Sequence, residues 1–358
     1  MKILSPEIKP NLRTTQLIAR IERLSGSWDR AIELNSSFEE IYSEKKAEAL
    51  EKNTLATLCL DNTTPAPLSH PILGYFNSKT PLDLPKNSIL SEDCLQHLRG
   101  LRLAFDESVD LSQNGLLKLH KLLTGNFEEE KYSCSELSLK SELSLRVSPS
   151  TFFSHNNSRI FETVSPFLVS RRFREILEWA NEEFYNGETH PLLVIGTLHL
   201  LLLQLHPFKS ANHRLVLITS WHLIRERGYE WISYSNLWSN IASQSEGYYN
   251  ALKHAEKTAY SDWSTLNIWL ELFLKNVFHA ALETAGNIGI KTPVNAPLSE
   301  TQLRILEVIK NHGSLSRDKL VIETGISPST IKYNLGLLAE KGHLIREGGG
   351  RSTYYRAG

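Results

Sequence analysis

Apolar residues recur at intervals of three and four along most of the chain, the spacing of a helix with one buried face. Leu116, Leu117, Leu119, Leu122 and Leu123 form one such stripe, behind Asp110 and Ser112, either of which can cap a helix start. Phe173, Ile176, Leu177, Ala180 and Phe184 form a second, and Leu266, Trp269, Leu270, Phe273, Leu274 and Val277 a third. Alternation with period two is scarce before residue 340. Its exception, around Leu143 to Phe153 in the stretch SELSLRVSPSTFF, predicts a short hairpin or flap. The predicted class is mainly α.

The most apolar run, Pro191 to Phe208, contains His199, Gln204 and His206 and meets a proline at its end. That composition predicts a buried core helix and no membrane span. The segment AGNIGIKTPVNAPLS carries two Gly and two Pro and no stripe, which reads as a linker. A weaker interruption falls over residues 61–90. The expected organisation is an N-terminal helical segment (1–90), a helical core (91–284), a linker (285–298) and a C-terminal module (299–358).

Composition sharpens this only in part. Of 358 residues, 41% are hydrophobic and 22% charged, so wholesale disorder is excluded. Cys59, Cys94 and Cys134 are too few for a disulfide framework, form no C-x-x-C pair and are expected as small buried residues. The opening MKILSPEIKPNLRTT lacks the apolar run of a signal peptide, and a cytoplasmic protein is expected. Thirty-nine Lys and Arg stand against forty Asp and Glu, a net charge of −1. The sum hides a split: the last sixty residues hold nine basic and six acidic side chains, net +3, and the rest 30 and 34, net −4.

The basic segment predicts three helices. Ser299 can cap a helix with the stripe Leu303, Leu306, Ile309. A second runs from Arg317 to Glu323, and Ser327-Pro328 opens a third, proline suiting a first helical position. Ile331, Leu335 and Leu338 face inward on the third, leaving Ser329, Thr330, Lys332, Tyr333 and Asn334 outward. Two short strands, His343 to Arg346 and Thr353 to Arg356, flank a glycine turn. The whole segment resembles the winged helix-turn-helix family of DNA-binding domains. That resemblance implies duplex DNA as a partner, contacted by Ser329, Thr330, Lys332 and Tyr333 and by Arg346 and Arg351, with Arg356 also in the wing. A module for protein docking or dimerisation is the alternative.

The chemistry lies in LHPFKSANHRLVLIT, from Leu205. An apolar helix ends at Pro207, a polar turn follows, and Asn212 can cap the next helix. The first N–H groups of that helix, with the positive end of its dipole, make an anion site. His206 at the turn's entrance suits a general base, and Arg214 offers a guanidinium to a phosphate. Together they suggest transfer of a phosphorus-containing group. A metal pair of His206 and His213 lacks a third ligand, so no metal site is expected.

These residues resemble the signature of the Fic family, His-Pro-Phe-x-(Asp/Glu)-Gly-Asn-Gly-Arg-x-x-Arg, through His206, Pro207, Phe208, Asn212 and Arg214. The resemblance extends over about residues 91–280 and implies an all-α core with a β-hairpin flap. It further implies AMP transfer from ATP, with Mg²⁺, to a Ser, Thr or Tyr hydroxyl of a target protein or of the chain itself. His206 would be the catalytic base. Phe208, Ser210, Ala211, Asn212, His213 and Arg214 would surround the phosphates, and Tyr248 or Tyr249 the adenine. Arg146, Val147, Ser148 and Pro149 would form the flap that aligns the target. Ser36 and Glu40 resemble the inhibitory helix that some members carry, with Glu40 pairing with Arg214 as one outcome.

The chain departs from that pattern. Ser210 replaces the acid that holds Mg²⁺, so the metal would depend on nucleotide phosphates; Ala211 and His213 replace two glycines; Leu217 replaces the last arginine. Two readings follow. One is a protein adenylyltransferase, weakened and held down by Glu40. The other is a catalytically weak Fic core that senses a nucleotide or peptide and acts as a DNA-binding regulator. A homo-oligomer is compatible with either; a membrane is not expected.

Overall fold

The computed structural model describes residues 8–35, 37–61, 110–124, 145–154, 157–258, 265–290, 298–340, 343–348 and 353–357, with positions 6, 100 and 263. The chain divides into two compact units, residues 1–290 and 291–358.

The larger unit is built around α5 (Pro191–Leu205) and α6 (Asn212–Glu226). Every side chain from Leu192 to Leu205 is buried, as a helix apolar on all sides requires. Proline at its first turn and the His190 ring, which accepts from the Leu192 N–H, start α5. Around this pair lie α1 (Leu12–Glu33), α2 (Phe38–Leu60), α3 (Gln113–Thr124), α4 (Val169–Asn186), α7 (Leu237–Ser243), α8 (Ser245–His254) and α9 (Leu266–Asn287). The predicted stripes face inward: Leu116, Leu119 and Leu123 on α3, Phe173, Ile176 and Ala180 on α4, and Trp269 to Val277 on α9. Each buried Leu or Phe contributes about 1.5–3 kcal/mol. Of the two candidate caps for α3, Ser112 takes the role, accepting from Gly115 N–H at 3.0 Å.

Helix α1, capped by Asn11, lays Ile21, Leu24 and Trp28 against α9 and neighbouring elements; α2 packs on α6, α7 and the 3-10 turn Glu230–Tyr234. Helix α9 approaches α5 closely at Gly196, whose carbonyl accepts from Trp269 Nε1 at 2.6 Å. A Cβ there would lie 2.9 Å from side-chain atoms of both Leu270 and Phe273, which would have to shift to admit it. Cys59 is exposed on α2, contrary to the expectation of a buried thiol; Cys94 and Cys134 lie outside the described residues. No described helix is long and apolar enough to cross a membrane.

The flap is real but begins later than the alternation suggested. Strands β1 (Thr151–Phe153) and β2 (Arg159–Glu162) pair antiparallel with Phe152 opposite Phe161, and residues 145–150 lead into them. Pro149 has no N–H to donate, and the last inter-strand bond, from Thr163 N–H to Ser150 C=O at 3.2 Å, lies beside it, so the strand starts at Thr151.

The smaller unit comprises α10 (Glu300–His312), β3 (Ser314–Ser316), α11 (Arg317–Thr324), α12 (Pro328–Glu340), β4 (Leu344–Glu347) and β5 (Tyr354–Ala357). Ser299 and Gln302 form a reciprocal capping box on α10. The core joins Ile305, Leu306, Ile309, Leu315, Leu320, Ile331, Leu335, Leu338 and Leu344. Leu303 is exposed instead, and Ile305 takes its expected place. The strands form a three-stranded antiparallel sheet, order β3-β5-β4, where the sequence predicted two. Three residues of β3 are too few to display a period.

Candidate functional site

The turn between α5 and α6 holds the motif. His206 closes α5 in a left-handed conformation, φ 46°, and Ala211 precedes α6 in another, φ 57°. Such residues cost roughly 1–2 kcal/mol each and persist only where their surroundings enforce them. Asn212 enforces part of this: its Oδ1 accepts from Phe208 N–H at 2.9 Å and its Nδ2 donates to Phe208 C=O at 2.8 Å. It is therefore the brace of the turn and not the helix cap, a place taken by Ala211 without a side-chain bond. Phe208 is buried and stacked on His120 at 4.1 Å, and His120 Nε2 donates to Ser210 C=O at 2.9 Å. Ser210 itself is exposed.

The first turn of α6 is already in contact with an anion, and that anion belongs to the chain. Asp61, just past the end of α2, sets Oδ2 2.6 Å from Arg214 Nε. It also accepts from the backbone N–H groups of His213 and Arg214, and burial pushes its carboxyl up to about 6 against the pull of Arg214. Both side chains of this pair are about nine-tenths buried. The carbonyl one residue earlier, Leu60, accepts from His213 Nδ1 at 2.8 Å and from the Tyr249 hydroxyl at 3.1 Å.

That carbonyl sets the protons of a buried chain. Because Leu60 C=O can only accept, His213 Nδ1 carries hydrogen, and burial lowers this ring to about 4, so it is neutral. Its Nε2 therefore accepts from the Tyr248 hydroxyl, 2.9 Å away. Tyr248 in turn accepts from His199 Nε2 at 3.1 Å, and His199 Nδ1 faces Ser220 Oγ at 2.9 Å. Tyr248 and Tyr249 are thus core residues joining α8 to α6 and α2, and neither offers a free face.

The flap covers the turn. Arg146 is buried and ties it down from within: Nε donates to His206 C=O at 2.6 Å, Nη2 to Leu205 C=O at 2.9 Å and to Val164 C=O, and Nη1 to Ser148 C=O at 2.9 Å. Val147, Ser148 and Pro149 point outward. Phe152 sets its ring edge-on to His206 (5.4 Å) and His213 (5.2 Å). Beneath it His206 Nε2 is buried without a hydrogen-bond partner among the described residues, as is Arg214 Nη1. Burial, then His213, then Arg146 hold the His206 imidazole down at about 3.

No curated protein matches the sequence. Residues 298–342 match the family described as winged helix-turn-helix DNA-binding. Among solved structures, a Fic family protein from Desulfovibrio desulfuricans G20 is similar over 99% of this chain and 98% of its own, at 18% identity and TM-score 0.57. The chain has the Fic fold. A Fic domain containing signaling protein from Bacteroides thetaiotaomicron VPI-5482 is similar over 78% of this chain and 98% of its own, at 14% identity and TM-score 0.49.

Within this Fic fold, His206, Asn212, Arg214 and the start of α6 lie in one place, under the flap. Leu217 is wholly buried. Among the described residues no three His, Cys, Asp or Glu side chains are placed to hold a metal ion. The carboxylate at this turn is Asp61, and it is engaged by Arg214, so the residues present do not fit a protein-held Mg²⁺. Glu40 stands exposed in the first turn of α2, twenty-one residues and about 30 Å of helix from Asp61. The partner of Arg214 is therefore Asp61, correcting the pairing with Glu40; Ser36 lies outside the described residues. Asp61, Phe152 and His199 were missed in the sequence. Asp61 had a signal: Thr57-Leu-Cys-Leu-Asp61 repeats the hydroxyl-x-x-x-acid spacing of Ser36 and Glu40, at the other end of the helix.

In the winged helix, Ser329, Thr330, Lys332 and Tyr333 are exposed on α12, as expected, while Asn334 is buried and donates to Thr330 C=O. Ser327 Oγ caps this helix, accepting from Thr330 N–H at 3.3 Å. Ser329, Lys332 and Tyr333 line an open hollow of about 500 Å³ with Gly336 and Leu337. Arg346 is exposed on β4, Arg356 pairs with Glu347 across the ladder, and Arg351 lies outside the described residues.

Proposed function

We propose that this protein is a DNA-binding regulator whose Fic core carries a transferase-type site held shut by its own residues. The observation that carries the reading is the Asp61 carboxylate on Arg214 and the first N–H groups of α6, where an incoming phosphate would need to sit. The rest of the site agrees. An imidazole near 3 is a poor proton acceptor at neutral pH, since a general base works best with a pKa near the ambient value. The His213 ring fills the place of a backbone-only residue, Leu217 offers no charge, and Phe152 lies over both histidines. The exposed polar face of α12 supports duplex DNA as partner.

A second reading, adenylylation of a target hydroxyl from ATP, is favoured by the retention of His206, Asn212 and Arg214 at one turn. Incubation with α-labelled ATP and Mg²⁺ separates the two. The regulator reading expects no label on the protein or on lysate proteins from the unaltered chain, and retardation of a selected duplex that Lys332→Ala and Tyr333→Ala abolish. Label from the unaltered chain that His206→Ala removes would overturn it for the second reading. Label appearing only in Asp61→Ala would show a working transferase behind the block.

A further inference from the structure

A second cavity, of about 500 Å³, opens in the larger unit away from the motif, between α1, the first half of α2, the end of α6 and the turn Glu230–Tyr234. Its chemistry is that of a cation site. The floor is aromatic: Trp28 meets Phe38 edge-on at 5.0 Å and Tyr234 at 5.1 Å, and Phe38 meets Tyr234 at 6.0 Å. The rim carries Glu39, Glu226 and Glu230. The Tyr234 hydroxyl reports two of these carboxylates, being pushed up to about 12 by burial and then by Glu39 and Glu230. The neighbouring Asp29 carboxyl is also raised, by burial and then by Glu230, Glu33 and Glu22, so negative charge is concentrated on this side.

The chain itself shows how a cation would be received. The ammonium of Lys46 lies 5.8 Å from the Tyr234 ring centroid, over its face, as an aromatic quadrupole favours. The other base of the lining, Arg225, sits over Trp221 instead, at 5.3 Å. The carboxylates do not converge on a point: Glu226 accepts from His222 Nε2 at 3.0 Å, and no metal-type grouping occurs among the described residues. A compact divalent ion is poorly served by such a rim. Charges spread along an aliphatic chain match it, with methylene segments against the rings and ammonium groups against separated carboxylates.

We propose that this cavity binds a linear polyammonium ion, with Glu39 and Glu230 as its anionic contacts, Tyr234 as its aromatic one, and Lys46 as an internal competitor. The proposal does not depend on the transferase site or on DNA binding.

Equilibrium dialysis of the full-length chain against labelled spermidine tests it. The expected result is saturable binding of one ion per chain, weakened about tenfold in Glu39→Gln/Glu230→Gln. Lys46→Met should strengthen binding several-fold. Mg²⁺ at matched ionic strength should displace the ion poorly. No saturable binding below about 1 mM would overturn the proposal. So would equal binding by the double variant, weaker binding by Lys46→Met, or displacement by Mg²⁺ as effective as by unlabelled spermidine. Both variants alter side chains at the cavity's edge, and circular dichroism checks that they fold.

Discussion

Replacing Asp61 by Ala tests the central contact of the site. The change leaves the Arg214 guanidinium, about 7% exposed, without its counter-charge, and removes an acceptor from two N–H groups at the start of α6. Removing one member of a buried ion pair costs about 3–5 kcal/mol, and this pair is buried enough for the full range to apply. The pair itself is a poor source of stability. A carboxyl raised from 3.8 to about 6 binds its proton more tightly in the fold than in the unfolded chain. Its ionised form therefore costs about 3 kcal/mol at neutral pH, a cost relieved as pH falls through 6 towards 4. Asp61→Leu with Arg214→Met should then be neutral or stabilising, by up to about 4 kcal/mol. Urea unfolding of the full-length chain, following the larger unit by tryptophan fluorescence, measures both. A loss below about 1 kcal/mol in Asp61→Ala, or a double variant as unstable as the two single variants added together, would refute the reasoning.

Three further outcomes are expected. Ala211→Gly, relieving a side chain at φ 57°, should stabilise the larger unit by about 0.5–1 kcal/mol in the same unfolding assay. His206 and His213 bind protons near 6.5 when unfolded but only at about 3 and about 4 when folded, so stability should fall as pH drops below 6.5. By pH 5 the loss is about 2 kcal/mol for each, partly offset by Asp61, and His206→Gln should flatten the pH profile of urea midpoints. Phe152→Ala should cost about 3 kcal/mol and wet the imidazole beneath it; NMR titration should then find His206 moved up towards 6.5.

The helical class, the stripes on α3, α4 and α9, the buried α5 and the winged helix were legible because each rests on periodicity or on local capping chemistry. Ser299 with Gln302 and Pro191 at the start of α5 are local signals of this kind. The hairpin was legible only as a tendency, because its start at Thr151 depends on where β2 comes alongside. The motif from His206 to Arg214 was also legible, since its residues are close in sequence and the turn brings them together.

The sequence by itself determined the elements, the position of the turn between α5 and α6 and the residues there that depart from the Fic signature. Only the tertiary structure decided what occupies that turn. Asp61 reaches Arg214 across 153 positions because α2 packs on α6, and Phe152 reaches His206 across 54 because β1 pairs with β2, which packs on α8. Helical period records which face is buried, not which carboxylate arrives at the end of a helix. The same side chains that suggest an open anion site in sequence are, in the fold, held by the chain's own anion and covered by its own flap.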